Sequence, residues 1–211
     1  MEHVSQSRSG GWEIVQFVNA TLTGTRTYDL TQLLRGQLGT EDAIETALAA
    51  GARIVVLDNT LIQMALDLND LGREFYLKYG PANRDIGDST YLTTQKTFNG
   101  RGLKPFSPVH LSATTDGSGT TLNWVRRDRI NSDSWEYTDD IPMNEAYERY
   151  EIDIKDGTDT TVRTITVDDA TSVLYTAAEK STDGISTPFD YVVYQISDQV
   201  GRGTGRRGTA S

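Results

Sequence analysis

Residues 33–40 read LLRGQLGT and lead directly into EDAIETALAA. Two glycines, an arginine and a threonine ahead of a helix-like run are the residue types of a phosphate-binding loop. The spacing does not fit one. A Walker-type loop needs GxxxxGK[ST] and a dinucleotide loop needs GxGxxG, whereas this stretch is GxxGT without lysine. Glu41 and Asp42 would also fill the positive end of the following helix themselves and repel an anion. The favoured reading is structural: Gly36 and Gly39 permit tight turns, Thr40 caps a helix, and Arg35 pairs with an acid in its own domain or across a subunit contact.

Other chemistry is similarly thin. The two histidines are His3, in a polar N-terminal stretch, and His110, which alternates with Val109 and Leu111 and so faces away from the apolar set. Neither placement favours a Ser–His–Asp triad or a histidine zinc site. The carboxylate pairs Asp139/Asp140 and Asp168/Asp169 have the composition for glycoside hydrolysis, but both fall in expected turns, where Asp bonds the backbone. DIKDGTD sets Asp153, Asp156 and Asp159 around Gly157. It lacks the twelve-residue loop and closing Glu of an EF-hand, and Asp-Gly at a hairpin tip accounts for it more simply. Arg126, Arg127 and Arg129 form the densest basic cluster, read first as ion pairs with neighbouring acids. The expectation is a chain with no catalytic residues, no metal and no cofactor, with a carboxylate-based hydrolase as the minor alternative.

The elements that would position these residues are mostly strands. Residues 1–11 are polar and read as an arm. WEIVQFVNATL and TYDLTQLL read as a strand pair joined near Gly24, the first buried at least partly on both sides. A helix is expected over 41–50, capped by Thr40 and closed by Gly51. ARIVVLDN, EFYLKYGP and YLTTQKTF read as strands, and LIQMALDLND is open between helix and strand. NGRGLKPFSP, residues 99–108, marks a domain boundary by its glycines and prolines. Beyond it PVHLSATTD, TTLNWVRRD, YEIDIKDG, VRTITVDD, SVLYTAAE and YVVYQISDQV form six short strands separated by turns, the pattern of an antiparallel β-sandwich. The loop after the second carries Trp135 and Tyr137. The closing GRGTGRRGTAS reads as a flexible Gly/Arg tail that would need a partner to be ordered. The fold expected is therefore mainly β: an arm (1–11), a β-rich domain with one short helix (12–103), a sandwich (104–200) and a tail (201–211).

Composition narrows the function classes. The chain has 211 residues and a net charge of −10, which disfavours nucleic acid as a partner. It has no cysteine, so disulfides, thiolate metal sites and cysteine nucleophiles are excluded. No apolar run approaches the about 20 residues of a membrane span, and the N-terminus does not look like a signal peptide.

WEIVQF, LLRGQLGTEDAI, LKPFSPVHL, NWVRRDRINSDSW and VVYQISDQVGRG, in this order from about Trp12 to Gly203, resemble the C-terminal part of the large tail-tip protein of gene transfer agents and related siphophages, also called the megatron or host specificity protein. The sandwich half is also similar to a fibronectin type III domain in Pro108, Val109, Leu111 and Ala113, in Leu122 and Trp124, and in the Tyr194–Ile196 strand. The resemblance implies a virion structural protein of the distal tail, made in the host cytoplasm, on a trimeric hub in three copies. The family's long chains carry upstream portions, one resembling a glycoside hydrolase barrel, that this sequence lacks. The expectation is a separate polypeptide docking on the hub non-covalently, without the hub's enzymatic activity. Its implied partners are tail hub and tail-tip proteins, with a host surface receptor or polysaccharide as the further one. Arg35, Trp135, Tyr137, Arg202, Arg206 and Arg207 are the candidate partner-binding residues. A receptor- or glycan-binding module resting on Trp135 and Tyr137 is the alternative reading.

Overall fold

Strand-forming sequence dominates the chain, and the structure is mainly β. The computed structural model describes residues 2–6, 11–130 and 141–211, with the backbone alone for 2–6. Met1–Asp58 and Gly102–Ser211 form one unit and Asn59–Arg101 another.

The first unit begins with β1 (Glu2–Gln6), β2 (Trp12–Gly24), β3 (Thr27–Gln37) and β4 (Ile54–Leu57), an antiparallel sheet in the order β3-β2-β1-β4. Residues 2–6 are thus not a loose arm. β1 is an interior strand, paired with β2 on one side and β4 on the other. A ladder on both edges holds a strand through backbone groups, without the apolar alternation that makes strands visible in sequence. β2 and β3 form the expected hairpin. Burial ends sooner than the sequence suggests: from Val18 outward every residue of β2 is exposed.

The helix expected over 41–50 is a single 3-10 turn, Glu41–Ala43. Its cap and its ladder are both taken by tertiary bonds. The Thr40 hydroxyl makes no cap bond; it accepts from Ile14 N at 2.9 Å and donates to Gln37 O at 2.7 Å. The Glu45 carbonyl, which an α-helix would use for its own ladder, accepts from Arg35 Nη1 at 2.7 Å.

In the unit Asn59–Arg101, β5 (Glu74–Tyr79) pairs with β6 (Leu92–Thr97), and Phe75 meets Phe98 edge-on at 5.6 Å. No residue of this unit is buried. LIQMALDLND is neither a strand nor an α-helix; a 3-10 turn at Leu68–Asp70, capped by Asp67, is its regular part.

The sandwich comprises β7 (Val109–Asp116), β8 (Gly119–Val125), β9 (Arg149–Lys155), β10 (Thr161–Asp168), β11 (Ser172–Thr176), α1 (Ala177–Asp183), β12 (Phe189–Ser197), β13 (Gly201–Arg202) and β14 (Arg206–Ala210). One sheet runs β11-β8-β7 and the other β10-β9-β12, with β13 and β14 both on the far flank of β12. This antiparallel arrangement, three strands against five, is fibronectin III-like. The core is Leu122, Trp124, Tyr150, Ile152, Ile154, Tyr175, Phe189, Tyr191 and Val193, with Trp124 against Tyr150 and Tyr175 against Phe189 edge-on. SVLYTAAE reads as one strand, but only its first half is one. TAAE is a capping box: Thr176 Oγ1 accepts from Glu179 N, the Glu179 carboxylate accepts from Thr176 N, and Gly184 ends α1 in the left-handed conformation.

The Gly/Arg tail is ordered by its own sandwich rather than by a partner. Its glycines allow close approach: a Cβ on Gly203 would lie 2.4 Å from Pro105 O, and one on Gly208 2.6 Å from Tyr191 Cζ. Arg202 clasps it down, with Nε to Glu151 at 2.5 Å, Nη1 and Nη2 to Asp153 at 2.7 and 3.0 Å, and its guanidinium 4.5 Å from the Tyr194 ring.

Replacing Gly208 by alanine is expected to destabilise the sandwich by about 1–3 kcal/mol, read as a lower urea midpoint, because the Tyr191 ring must move. Asp153 gives a pH prediction. Burial opposes its charge, but the bonds from Arg202 and Thr164 prevail and hold its carboxyl below the ordinary value. Folding therefore favours the ionised form. That contribution is complete above about pH 4 and is lost as pH falls through the folded value. Asp153→Asn lowers stability at neutral pH and flattens the acid limb of the stability–pH curve; an unchanged acid limb would contradict this role.

Candidate functional site

The region around LLRGQLGT is where the chain concentrates its buried polar chemistry. Glu13, in β2, is completely buried. Its carboxylate accepts from Arg35 Nε at 2.9 Å, Arg35 Nη2 at 2.6 Å and Gly36 N at 3.0 Å. The planar Arg35 fork meets both carboxylate oxygens, and its third nitrogen holds Glu45 O, so one side chain ties β2, β3 and the following loop together. The bond to Glu13 raises the Arg35 value further. Of the two partners foreseen for Arg35, the one in the structure is an acid of its own domain. Gly36 sits at φ 64°, and a Cβ there would meet Glu41 Cα at 2.9 Å. The glycine makes room for the turn, and no phosphate cradle is involved.

Five residues on, Glu41 joins the sheet to the sandwich. Its carboxylate accepts from Ser107 N at 2.9 Å and from Arg127 Nη1 at 2.8 Å, while Arg127 lies 4.8 Å from the Phe106 ring. The Ser107 N–H lies between Pro105 and Pro108, both fully buried. The signature LLRGQLGTE thus carries the two polar joints that fix the N-terminal sheet.

The remaining sequence candidates disperse. Arg126 pairs with Glu148 and bonds Ile141 O, and Arg129 pairs with Glu145. Asp168 pairs with Arg149. Asp153 serves Arg202, Asp156 holds the Thr158 and Thr160 amides of its turn, and Asp159 meets Arg207, which also pairs with Asp190 at 2.8 Å. Arg206 is exposed at the start of β14. His110 is exposed on β7. Among the described residues no three His, Cys, Asp or Glu side chains are placed to hold a metal ion. No helix among them is long and apolar enough to cross a membrane. Trp135, Tyr137, Asp139 and Asp140 lie outside the described residues.

A further feature went unread in the sequence. In the outer half of the β2–β3 hairpin Leu22 faces Tyr28 and Ala20 faces Leu30, while Thr21 faces Asp29 and Asn19 faces Thr31. The ribbon therefore has an apolar side and a polar side. The apolar side is open: Val18 is 72% exposed, Leu22 62% and Tyr28 57%. The signal was present as period-two alternation in VNATLTG and TYDLT, but alternation alone does not say whether a face is covered. Among the described residues, all exposed large apolar side chains except Val125, Tyr147, Val162 and Leu174 lie between Val18 and Leu92.

The family model described as Rcc01698-like, C-terminal, matches residues 3–55, the stretch that holds the N-terminal sheet. That family is associated with the gene transfer agent of Rhodobacter capsulatus, in line with the resemblance read from the sequence. No curated protein matches the chain. Among solved structures, the extracellular region of rat CD45, domains d3-d4, aligns over 91% of this chain and 94% of that one, at 9% identity and a TM-score of 0.32. A likeness of that degree bears on neither fold nor function.

Removing one partner of the buried pair strands a charge. Arg35→Ala or Glu13→Ala is expected to cost about 3–5 kcal/mol in chemical denaturation. Glu41→Ala leaves the Ser107 amide without its acceptor, for a loss of about 1–3 kcal/mol. Equal and negligible effects for all three would contradict the roles of both joints.

Proposed function

We propose that the chain is a non-catalytic structural component of a phage-like tail tip, docking on the tail hub through the apolar side of the β2–β3 hairpin and so contributing to host attachment. The open apolar side is the observation that carries this reading. Contiguous apolar surface in water is unfavourable by about 25 cal/mol per Å², and soluble chains leave large patches open chiefly where something covers them. The match to a family associated with a gene transfer agent falls on this sheet, which supports placing the contact on it. The reading includes three copies per tail at its distal end, with the sandwich directed away from the contact.

The polar joints keep this surface in place without supplying it. Arg35 and Glu13 fix the base of the hairpin, and the side chains beyond Phe17 are left for a partner. Charge substitutions on the apolar side should therefore spare the fold and abolish the contact.

Leu22→Asp and Tyr28→Asp are expected to leave the Tm of the free chain within about 1 °C, as surface substitutions do, and to remove the protein from purified particles. Quantitative mass spectrometry of wild-type and variant particles measures this. Complete tails that assemble and attach without the chain, or variants incorporated at wild-type level, would overturn the reading.

A further inference from the structure

After β6 the chain passes through Phe98, Asn99 and Gly100 before the 3-10 turn Arg101–Leu103. Asn99–Gly100 is the single Asn-Gly pair in the sequence, and every other asparagine precedes a residue with a side chain. The pair lies outside any strand or helix, and Asn99 is exposed. Phe98 O accepts from Gly72 N at 2.9 Å, so the backbone is held up to that point. Beyond it, neither the Asn99 side chain nor the Gly100 N–H has a hydrogen-bond partner among the described residues. Gly100 stands at φ 63°, and without a Cβ its nitrogen is unshielded. A side-chain amide carbon and the next backbone nitrogen are an electrophile and a nucleophile at high effective concentration. A ladder or cap bond on either group would hold them apart, and this pair has neither.

We propose that Asn99 is a self-modification site, at which the Gly100 nitrogen closes on the Asn99 side chain and converts it to aspartate and isoaspartate. Hydroxide takes the Gly100 N–H proton, and the nitrogen bonds Asn99 Cγ. The Cγ–Nδ2 bond breaks, and Nδ2 leaves as ammonia with a proton from water, which regenerates hydroxide. Water then opens the cyclic imide. Attack at Cγ restores the ordinary main chain as aspartate. Attack at the main-chain carbonyl of residue 99 routes the chain through Cβ and Cγ as isoaspartate. The net reaction consumes water and releases ammonia, with no change of oxidation state. Each product adds an anion shortly before Arg101, and isoaspartate also lengthens the connection from Phe98 to the Arg101–Leu103 turn by a methylene. Competing sites are handicapped. Asn19 and Asn123 lie within β2 and β8, and the Asn144 side chain donates to Ile130 O at 3.0 Å. Asp116, Asp156 and Asp183 also precede glycine. Bonds from Ser118, Thr158 and Arg163 respectively hold their carboxyls below the ordinary value, and an ionised carboxylate is a poor electrophile. The site is separate from the β2–β3 hairpin and stands whether or not the chain docks on a hub.

The test uses purified full-length protein incubated in mildly alkaline buffer. Conversion is followed by released ammonia, by peptide mass, and by methyl transfer to isoaspartate from a protein isoaspartyl methyltransferase. The expected result is conversion at Asn99 at least about tenfold faster than at any other asparagine, rising with hydroxide concentration and giving both products. Gly100→Ala shields the nitrogen and is expected to suppress the reaction. Asn99→Gln keeps Gly100, and so the backbone, but demands a larger ring that closes slowly; it is expected to remove the methyl-accepting site. Conversion spread evenly over the asparagines, or methyl transfer undiminished in Asn99→Gln, would overturn the proposal. So would Asn99 conversion more than about tenfold slower in the folded chain than in urea, because the fold would then be protecting the pair.

Discussion

A fully buried carboxylate is the constraint on which the N-terminal half depends. Glu13 lies on β2 with no access to water and is tolerable there only because Arg35 and the Gly36 amide satisfy it from three directions. Much of the local structure follows. Arg35 must reach back across the ladder, so Gly36 takes a left-handed turn that a side chain would obstruct. The remaining Arg35 nitrogen captures Glu45 O, which prevents the following residues from winding into an α-helix. Glu41 is then presented outward to Ser107 and Arg127, and the sheet is fixed to the sandwich. A hydrophobic residue at position 13 would be cheaper in solvation but would specify none of this geometry.

The two halves treat apolar surface in opposite ways. The sandwich buries its large side chains and faces water with ion pairs such as Arg149–Asp168 and Arg207–Asp190, and even its glycine-rich end is folded back as β13 and β14. The N-terminal sheet keeps a polar base and leaves its outer hairpin apolar and open. The unit Asn59–Arg101 has almost no core of its own. A sequence of this length buries enough surface in its sandwich to fold. Its remaining apolar groups are then available for assembly.

The legible parts of the fold were those where side-chain period and burial coincide. Val109–Ala113, Leu122–Trp124, Tyr150–Ile154 and Tyr191–Val193 alternate because one face of each strand enters the core, and the sandwich follows from them. β1 was not legible, since EHVSQ is held by ladders on both edges. The helix expected over 41–50 had sound local signals, Thr40, Glu41 and Gly51, but tertiary bonds from Arg35 and Ile14 claimed the groups it needed. α1 was legible in principle, because Thr176 and Glu179 form a capping box that the apolar run SVLY masked. Within the candidate site, the importance of Arg35 could be read but its partner Glu13 could not, because β2 and β3 meet only after the hairpin sets their register.

The central claim is that the apolar side of the β2–β3 hairpin is covered in the particle. Amide hydrogen exchange, compared between the free chain and the chain in assembled particles, measures this directly. Residues 18–34 are predicted to change from fast exchange to strong protection on assembly, while β9 and β12, protected in both states, change little. Exchange over 18–34 as fast in the particle as in the free chain would contradict the claim.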